Sequence, residues 1–332
     1  MNPPSIRRKA GFSLVEILAA LAVLAILGLI LSQITGSIAH STRASTHVID
    51  AAGQARLAFD RLGLDLTGLV KRADTNFVAQ NFTTAGANPI LLFLSSVTTS
   101  GLPSSNNRGI SVLSYELSSH PDNTDFQGNP SPCLIRAGMA IPWNSGGAVP
   151  NTGFMGLKSN GLPETFTDAT FPSALLPGQT QDFDVLAAGA IRMVVGFQLY
   201  PDNQPVQLLD GYKPTPNNSR GQIVYSPPIR TLTSSAGVAT QYLDLTRISA
   251  LVVGLVVIDL ESLRPVTVGQ VILLGNAFPT PADGDNKTPL QEWTPLANAP
   301  SLLPGSVPLP ARQAVRVYER IYPITPFPTQ GQ

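Results

Sequence analysis

The sequence predicts an α+β protein in which a long N-terminal helix packs on an antiparallel β-sheet with long loops. Three observations lead to this class: an uncharged apolar run near the N-terminus, an amphipathic stripe of helical period after it, and, beyond residue 80, short strand-like runs separated by segments rich in proline and glycine. With 332 residues, 13% of them charged, the chain is long enough for a sizeable core and too apolar for global disorder.

The apolar run is long enough to cross a membrane. From Ile17 to Thr42 no side chain carries a formal charge, whereas a helix needs roughly 20 residues to span a bilayer core. Arg7, Arg8 and Lys9 precede the run, so the positive-inside rule places this leader in the cytoplasm and the chain beyond about residue 40 outside it. The run is too long for a cleaved secretory signal, which leaves a plain signal anchor as the simplest alternative.

The start of this run carries a specific motif. KAGFSLVEILAALAVLAIL combines a basic leader, Gly11, Phe12 and a glutamate, Glu16, at the fifth position after the glycine. It resembles the leader and first helix of type IV prepilins and type II secretion pseudopilins. The resemblance implies cleavage between Gly11 and Phe12 by a prepilin peptidase, N-methylation of Phe12, and assembly with other pilins or pseudopilins through an inner-membrane assembly platform.

Glu16 needs a physical reason, because a carboxylate inside a membrane helix costs about 2.5–3.5 kcal/mol on insertion scales. Cleavage before Phe12 would create an α-amine at a similar depth, and the Glu16 carboxylate could pair with that amine in its own or a neighbouring subunit. Glu16 is therefore predicted to set the register of assembly. The alternative is a carboxylate that snorkels alone to the headgroups.

After the apolar run the pattern becomes amphipathic. Apolar residues recur at spacings of three and four and predict one buried stripe, which comprises Val48, Ala51, Ala55, Phe59, Leu62, Leu66 and Leu69. The predicted solvent face carries Asp50, Arg56, Asp60, Arg61 and Asp65, with (i, i+4) ion pairs Arg56/Asp60 and Arg61/Asp65. One helix is thus expected from about Phe12 to about Arg72. Its glycines weaken it, so local bending or melting is expected near Gly36, whereas for Gly63 and Gly68 close packing on the sheet is an equal alternative.

The remaining chain is predicted to be β-rich. The candidate strands are Ile90–Val97, Ile110–Leu117, Cys133–Ile141, Ile191–Tyr200, Ile223–Ser226, Ile248–Asp259, Val266–Leu274 and Ala314–Ile324, the last of which could begin as a helix. Segments at about 142–182, 201–221 and 276–312 are expected to be loops without regular elements. This outline resembles the larger minor pseudopilins, the J-type subunit of type II secretion especially, and its length and ending AVRVYERIYPI also resemble the prepilin-like Verru_Chthon cassette protein C family.

Motifs for catalysis or cofactors are absent from the sequence. No P-loop, nucleophile elbow, zincin motif or dinucleotide fingerprint occurs, so the chain is predicted not to be an enzyme and to need no cofactor. The formal net charge of zero gives no reason to expect nucleic acid as a partner. Cys133 is the only cysteine and is expected to be a small core residue.

One turn, ADGDNKTPLQEW, offers hard oxygen ligands for calcium in Asp283, Asp285 and Glu292. It departs from the EF-hand loop at Lys287 and Thr288, so a solvated turn is the favoured interpretation and calcium binding the alternative.

These observations predict four segments: a cytoplasmic leader (1–11), a transmembrane half-helix (12–40), an amphipathic helix (41–75) and an extracytoplasmic β-rich domain (76–332). The predicted function is that of a structural minor pilin or pseudopilin in a type IV pilus or a type II secretion pseudopilus, held in the inner membrane before assembly. The alternative is a membrane-anchored extracytoplasmic binding or adhesion module that does not polymerise.

Overall fold

The fold was analysed in a computed structural model of the chain. It describes residues 14–70, 77–80, 90–97, 107–124, 127–142, 182–200, 222–225, 229–233, 239–243 and 248–324. The chain divides into two compact units, Met1–His47 and Val48–Gln332. The expected loops at 142–182 and 201–221 lie almost wholly outside the described residues.

The described residues contain one long helix, eleven strands and several short helices. The long helix, α1, runs from Leu14 to Thr67. The strands are β1 Val78–Gln80, β2 Ile90–Ser95, β3 Asn107–Thr124, β4 Pro130–Pro142, β5 Asp182–Ala187, β6 Ala190–Leu199, β7 Ile223–Val224, β8 Ile229–Thr233, β9 Ala239–Leu243, β10 Ile248–Val257 and β11 Arg316–Pro323. The short helices are α2 Leu260–Leu263, α3 Val268–Asn276, α4 Pro289–Ala297, a 3₁₀ turn Pro300–Leu302 and α5 Leu309–Gln313.

All strand pairings in the described chain are antiparallel, and they form three sheets rather than one. The first has the order β1-β2-β3-β4-β5, the second has the order β11-β10-β6-β7, and β8 and β9 form a separate two-stranded ribbon. The α+β class with antiparallel sheets is thereby confirmed.

Two hydrophobic cores hold the second unit together. The larger core lies between the second half of α1 and both large sheets, and it includes Ala51, Phe59, Phe93, Phe197 and Leu251. A smaller core lies on the other face of the four-stranded sheet, where Val252 and Val256 of β10 meet α3, α4 and α5. Because both faces of β10 are covered, its run of nearly unbroken apolar residues is buried along its length.

The predicted stripe on α1 is confirmed from Ala51 onward. Val48 is the exception: it is 41% exposed and does not belong to the larger core, whose first residue is Ala51. The helix also ends earlier than predicted, at Thr67 rather than near Arg72. Gly68 explains this end: a Cβ there would lie 2.5 Å from the Ser95 hydroxyl oxygen, and its carbonyl accepts a bond from the Ser96 N–H at 2.7 Å. Tertiary pairing with the end of β2 therefore replaces the next helical turn.

Most predicted strands occur within a few residues of the expected bounds, but Val266–Leu274 was wrongly predicted as a strand. These residues lie mainly in α3, which begins with a capping box between Thr267 and Gln270. The β-branched run was ambiguous by itself. Helix α3 buries Val271 and Leu274 on one face and leaves Leu273 half exposed, whereas in a strand Val271 and Leu274 would lie on opposite faces.

The expectation that 276–312 lacks regular elements was also wrong. Helix α4 starts with a second capping box, between Thr288 and Gln291, and with Pro289 at its first position, where proline is tolerated. Both capping boxes are local signals that sequence analysis could have found. The last predicted strand, Ala314–Ile324, does not itself begin as a helix, because α5 ends at Gln313, before that range, and β11 starts at Arg316.

Gly254 of β10 allows α4 to approach the sheet closely. A Cβ at this position would lie 2.4 Å from the Cβ of Pro289 and 3.0 Å from the Trp293 ring. Trp293 is fully buried, contacts Phe278 edge to face with 6.1 Å between ring centroids, and donates its indole N–H to the Pro279 carbonyl at 2.7 Å. The helix is therefore held in one position by packing and by a satisfied indole.

We expect Gly254→Ala to destabilise the second unit by about 1–3 kcal/mol, because the added methyl would force Pro289 and Trp293 out of position. The matched control is Gly269→Ala in α3, where nothing lies within 4 Å of the added Cβ and where alanine favours the helix by up to about 1 kcal/mol. Denaturant unfolding of the fragment from Val48 onward measures both changes. Equal midpoints for the two variants would contradict the packing argument.

Candidate functional site: the N-terminal apolar helix and the buried junction

The first unit exposes an apolar surface long enough to span a membrane. Within Leu14–Ile38 the most apolar stretch of 18 residues has a mean hydropathy of 2.9, and none of that stretch is buried against the protein. Twenty-five helical residues extend about 37 Å at 1.5 Å per residue, which exceeds the roughly 30 Å of a bilayer core. The geometry fits a single-pass membrane anchor.

Hydroxyl groups in this part of α1 are satisfied inside the helix. Thr35 donates to the Leu31 carbonyl at 2.8 Å, and Thr42 donates to the Ile38 carbonyl at 2.9 Å. Such bonds to the preceding turn remove hydroxyl donors that hydrocarbon could not satisfy. The apolar surface is therefore not interrupted by unsatisfied side-chain donors at these two positions.

The structure places one predicted site residue of this unit. Glu16 lies in the first turn of α1 and is exposed, as are the neighbouring apolar side chains. The predicted processing residues Gly11 and Phe12 and the leader cations Arg7, Arg8 and Lys9 lie outside the described residues. Their roles stay predictions.

In the second unit, the end of α1 is joined to the first sheet by a buried charge cluster. The Asp65 carboxylate accepts bonds from Arg136 of β4, at 2.5 Å from Nε and 3.3 Å from Nη2, and from the hydroxyl of Tyr115 on β3. Asp65 and Arg136 are fully buried and Tyr115 is 1% exposed. The Asp65 backbone carbonyl also accepts a bond from the Ser95 hydroxyl at 2.7 Å.

The electrostatics of this cluster follow from burial and mutual contact. Burial, followed by the negative charge of Asp65, raises the pKa of the Tyr115 hydroxyl, so the tyrosine remains a donor. Burial would lower the pKa of the Arg136 guanidinium, but the hydrogen bond to Asp65, the charge of Asp65 and the contact with Tyr115 together outweigh that effect, and the pKa is raised overall. The arginine therefore stays charged, and the Asp65 side chain is held by three donors.

The predicted position of Asp65 on the solvent face was wrong, because the residue is fully buried. Its predicted ion pair with Arg61 is present, with 3.9 Å between the Arg61 Nε and the Asp65 carboxylate, a distance too long for a hydrogen bond. The other predicted pair, Arg56/Asp60, is also present, at 3.5 Å and exposed. Arg136 was missed because its single charge within a strand gives no local signal.

The turn considered for calcium has a different role in the structure. Asp283 accepts the backbone N–H of Tyr225 at 2.5 Å, Asn286 accepts that of Ile223 at 3.0 Å, and Glu292 pairs with Lys287 at 3.0 Å. The side chains of the turn are thus spread over separate contacts. Within the described part of the chain no group of three or more histidine, cysteine, aspartate or glutamate side chains is arranged to hold a metal ion.

Comparison with family models adds the observation that decides the class of the N-terminal segment. Residues 6–32 match the prokaryotic N-terminal methylation motif. This motif is the prepilin-type signature, and it implies a pilin-like protein that is processed by prepilin peptidase and assembles with other pilins. Proteins of this type are structural. No curated protein and no solved structure matches the chain.

We expect Asp65→Ala to destabilise the second unit by about 3–5 kcal/mol, because the substitution removes the closer of the two carboxylates that pair with the buried Arg136 guanidinium. Thermal unfolding of the fragment from Val48 onward provides the measurement. Asp60→Ala, five residues earlier on the same helix, is the matched control. Asp60 pairs with Arg320 at an exposed position, so its loss should shift the midpoint far less. Similar losses for both variants would show that burial of the Asp65 cluster adds nothing.

Proposed function

We propose that this chain is a minor pilin or pseudopilin subunit that is cleaved between Gly11 and Phe12, methylated on Phe12 and assembled into a type IV pilus-like filament or a type II secretion pseudopilus. The methylation motif at residues 6–32 carries the proposal. The apolar surface that continues from it supports the proposal, since a membrane anchor and the core of a helical filament both need an uninterrupted apolar helix.

The proposal assigns a topology as well as a function. Residues 1–11 form the cytoplasmic leader, residues 12–40 the transmembrane segment, and the chain from residue 41 onward lies outside the cytoplasm, with the precursor in the inner membrane. The asymmetry of charge supports this orientation, because Arg7, Arg8 and Lys9 precede the apolar run and Ile17–Thr42 contains no charge.

Glu16 has a specific role in the proposed assembly. After cleavage, the Phe12 α-amine and the Glu16 carboxylate would be four residues apart on one helix. They would lie about 6 Å apart along the helix axis, near the same end of the apolar layer. In a filament the carboxylate would neutralise the amine of its own or a neighbouring subunit, and the need for a partner would set the axial register. A signal anchor that does not polymerise, and that carries a binding or adhesion module, has no such need.

Processing gives the first test. We expect the protein extracted from its native membrane to begin at N-methylphenylalanine 12, because the leader and the glycine–phenylalanine junction match the motif. Intact-mass measurement would show the loss of residues 1–11 and the gain of one methyl group. Protein that retains Met1 in cells with an active prepilin peptidase would contradict the filament proposal.

The second test separates a filament subunit from a plain anchor. Glu16→Leu should insert at least as readily as the wild-type chain, since it removes an intramembrane charge that costs about 2.5–3.5 kcal/mol. It should be processed at Gly11 but be absent from sheared or affinity-isolated filaments, because the Phe12 amine would have no partner. Immunoblotting of membranes and filaments measures both properties.

Ile17→Leu is the matched control for this test. Ile17 is the next residue and is exposed on the same helix, so the substitution keeps the apolar surface and leaves Glu16 in place. It should enter filaments normally. Normal filament entry by Glu16→Leu would contradict the pairing mechanism even where processing occurs as expected.

A further inference from the structure

The two edges of the four-stranded sheet differ in whether side chains of the protein bond to their outward backbone groups. Its strand order places β7 at one edge and β11 at the other. An edge strand presents backbone N–H and C=O groups that are available for pairing with another chain. Whether such groups are already bonded within the protein therefore decides whether the edge can accept a partner.

The β7 edge is closed by side chains. Ile223 and Tyr225 turn their N–H groups away from β6, and these groups donate to Asn286 at 3.0 Å and to Asp283 at 2.5 Å, respectively. The Tyr225 hydroxyl donates to the Lys287 carbonyl at 2.7 Å and holds the same turn in place. Two side-chain acceptors thus occupy the positions that a neighbouring strand would use.

The β11 edge has no such cover in the described chain. The Ile324 N–H donates to the Ser249 carbonyl of β10, so antiparallel alternation directs the backbone groups of Val317, Glu319 and Ile321 away from β10. No described strand lies beside them. Ile321 is also 49% exposed, although it is apolar.

A groove of mixed polarity lies beside this edge. It has a volume of about 520 Å³ and lies between α4 and the first half of β11, where Leu290, Thr294 and Ala297 face Val315 and Val317. Side chains from an added strand would enter this groove at alternate positions, since a strand directs every second side chain to the same face. The edge therefore offers backbone bonds beside a groove in which apolar side chains and the Arg316 guanidinium are both available to a partner.

The charges along β11 favour a partner of different sequence over a second copy. A two-fold pairing centred on Glu319 or Arg320, the middle of the strand, would place that charged residue opposite itself, which is destabilising. Arg316 lines the groove and donates to the carbonyls of Gln313 and Val315, and no carboxylate of the described chain pairs with it. A carboxylate on the partner would complement this guanidinium.

We infer that β11 is a docking edge for an extended segment of another polypeptide, which adds to the sheet as a strand and carries apolar residues at alternate positions and a carboxylate near Arg316. The segment would pair with the outward groups of Val317, Glu319 and Ile321 and would fill the groove beside α4. This inference is independent of filament formation, since it concerns the β-rich unit and needs neither cleavage at Gly11 nor the Glu16 pairing.

The test uses the full chain in detergent micelles and a seven-residue synthetic peptide in which valine alternates with glutamate. Residue-resolved hydrogen–deuterium exchange should show slower exchange at the amides of Val317, Glu319 and Ile321 as peptide is added. The amides of Tyr318 and Arg320 point to β10 and serve as internal controls that are protected throughout. A peptide in which lysine replaces glutamate should bind up to about fivefold more weakly, as expected for one lost cross-strand charge pair.

Two variants make the outcome specific. Arg316→Glu should reverse the preference between the two peptides. Ile321→Pro removes an outward N–H that no described residue accepts, so it should abolish peptide protection while the Tyr318 amide remains protected. Absence of protection at saturating peptide, or a preference that Arg316→Glu leaves unchanged, would overturn the inference. Protection that rises with protein concentration without peptide would also overturn it, because a second copy would then cover the edge.

Discussion

The β-rich unit depends on a single buried carboxylate, Asp65, more than on any other polar contact in its described residues. Three donors converge on it from β3 and β4, and its own backbone carbonyl is bonded to Ser95 at the end of β2. Hydrophobic packing alone would allow α1 to slide or rotate on the sheet, because packing is not directional. The Asp65 contacts have fixed directions, and they determine which turn of the helix lies on which strand.

The two parts of α1 are suited to different surroundings. Over Leu14–Ile38 its apolar side chains are exposed to the surroundings of the first unit, and the Thr35 hydroxyl bonds to the backbone of the helix itself. From Ala51 onward one face is buried in the larger core, and the charged residues Arg56 and Asp60 lie at the surface. The change follows from side-chain chemistry: an all-round apolar surface suits lipid or a filament core, and a one-sided stripe suits a sheet in water.

The sheet edges show how polar side chains regulate backbone pairing. The Asp283 and Asn286 side chains belong to the turn that was considered for calcium binding. Their oxygen atoms accept the outward N–H groups of β7 and its following residue, so these groups cannot pair with a further strand. The opposite edge keeps its outward backbone groups and an adjoining groove. A protein that works through contacts with other proteins benefits from this difference, because one edge is protected against unwanted pairing and the other remains available.

The features that could be predicted from the sequence are those coded by neighbouring residues. The methylation motif, the membrane-spanning length and the helical stripe from Ala51 to Leu66 depend on the order and period of residues within a few turns, and so they can be recognised without a fold. The capping boxes at Thr267 and Thr288 are equally local, and they were overlooked because β-branched and proline-rich residues around them favour other structures.

Contacts between distant residues could be resolved only by the tertiary structure. Asp65 and Arg136 are 71 positions apart in the sequence. A periodic pattern shows that each residue is charged, but it does not predict that the two side chains are in contact. The pattern therefore placed Asp65 in water, whereas the fold buries it, since a buried charge is stable once donors surround it. The end of α1 at Thr67 has the same origin, because the Gly68 carbonyl finds its partner in Ser96 only when the first sheet is in place.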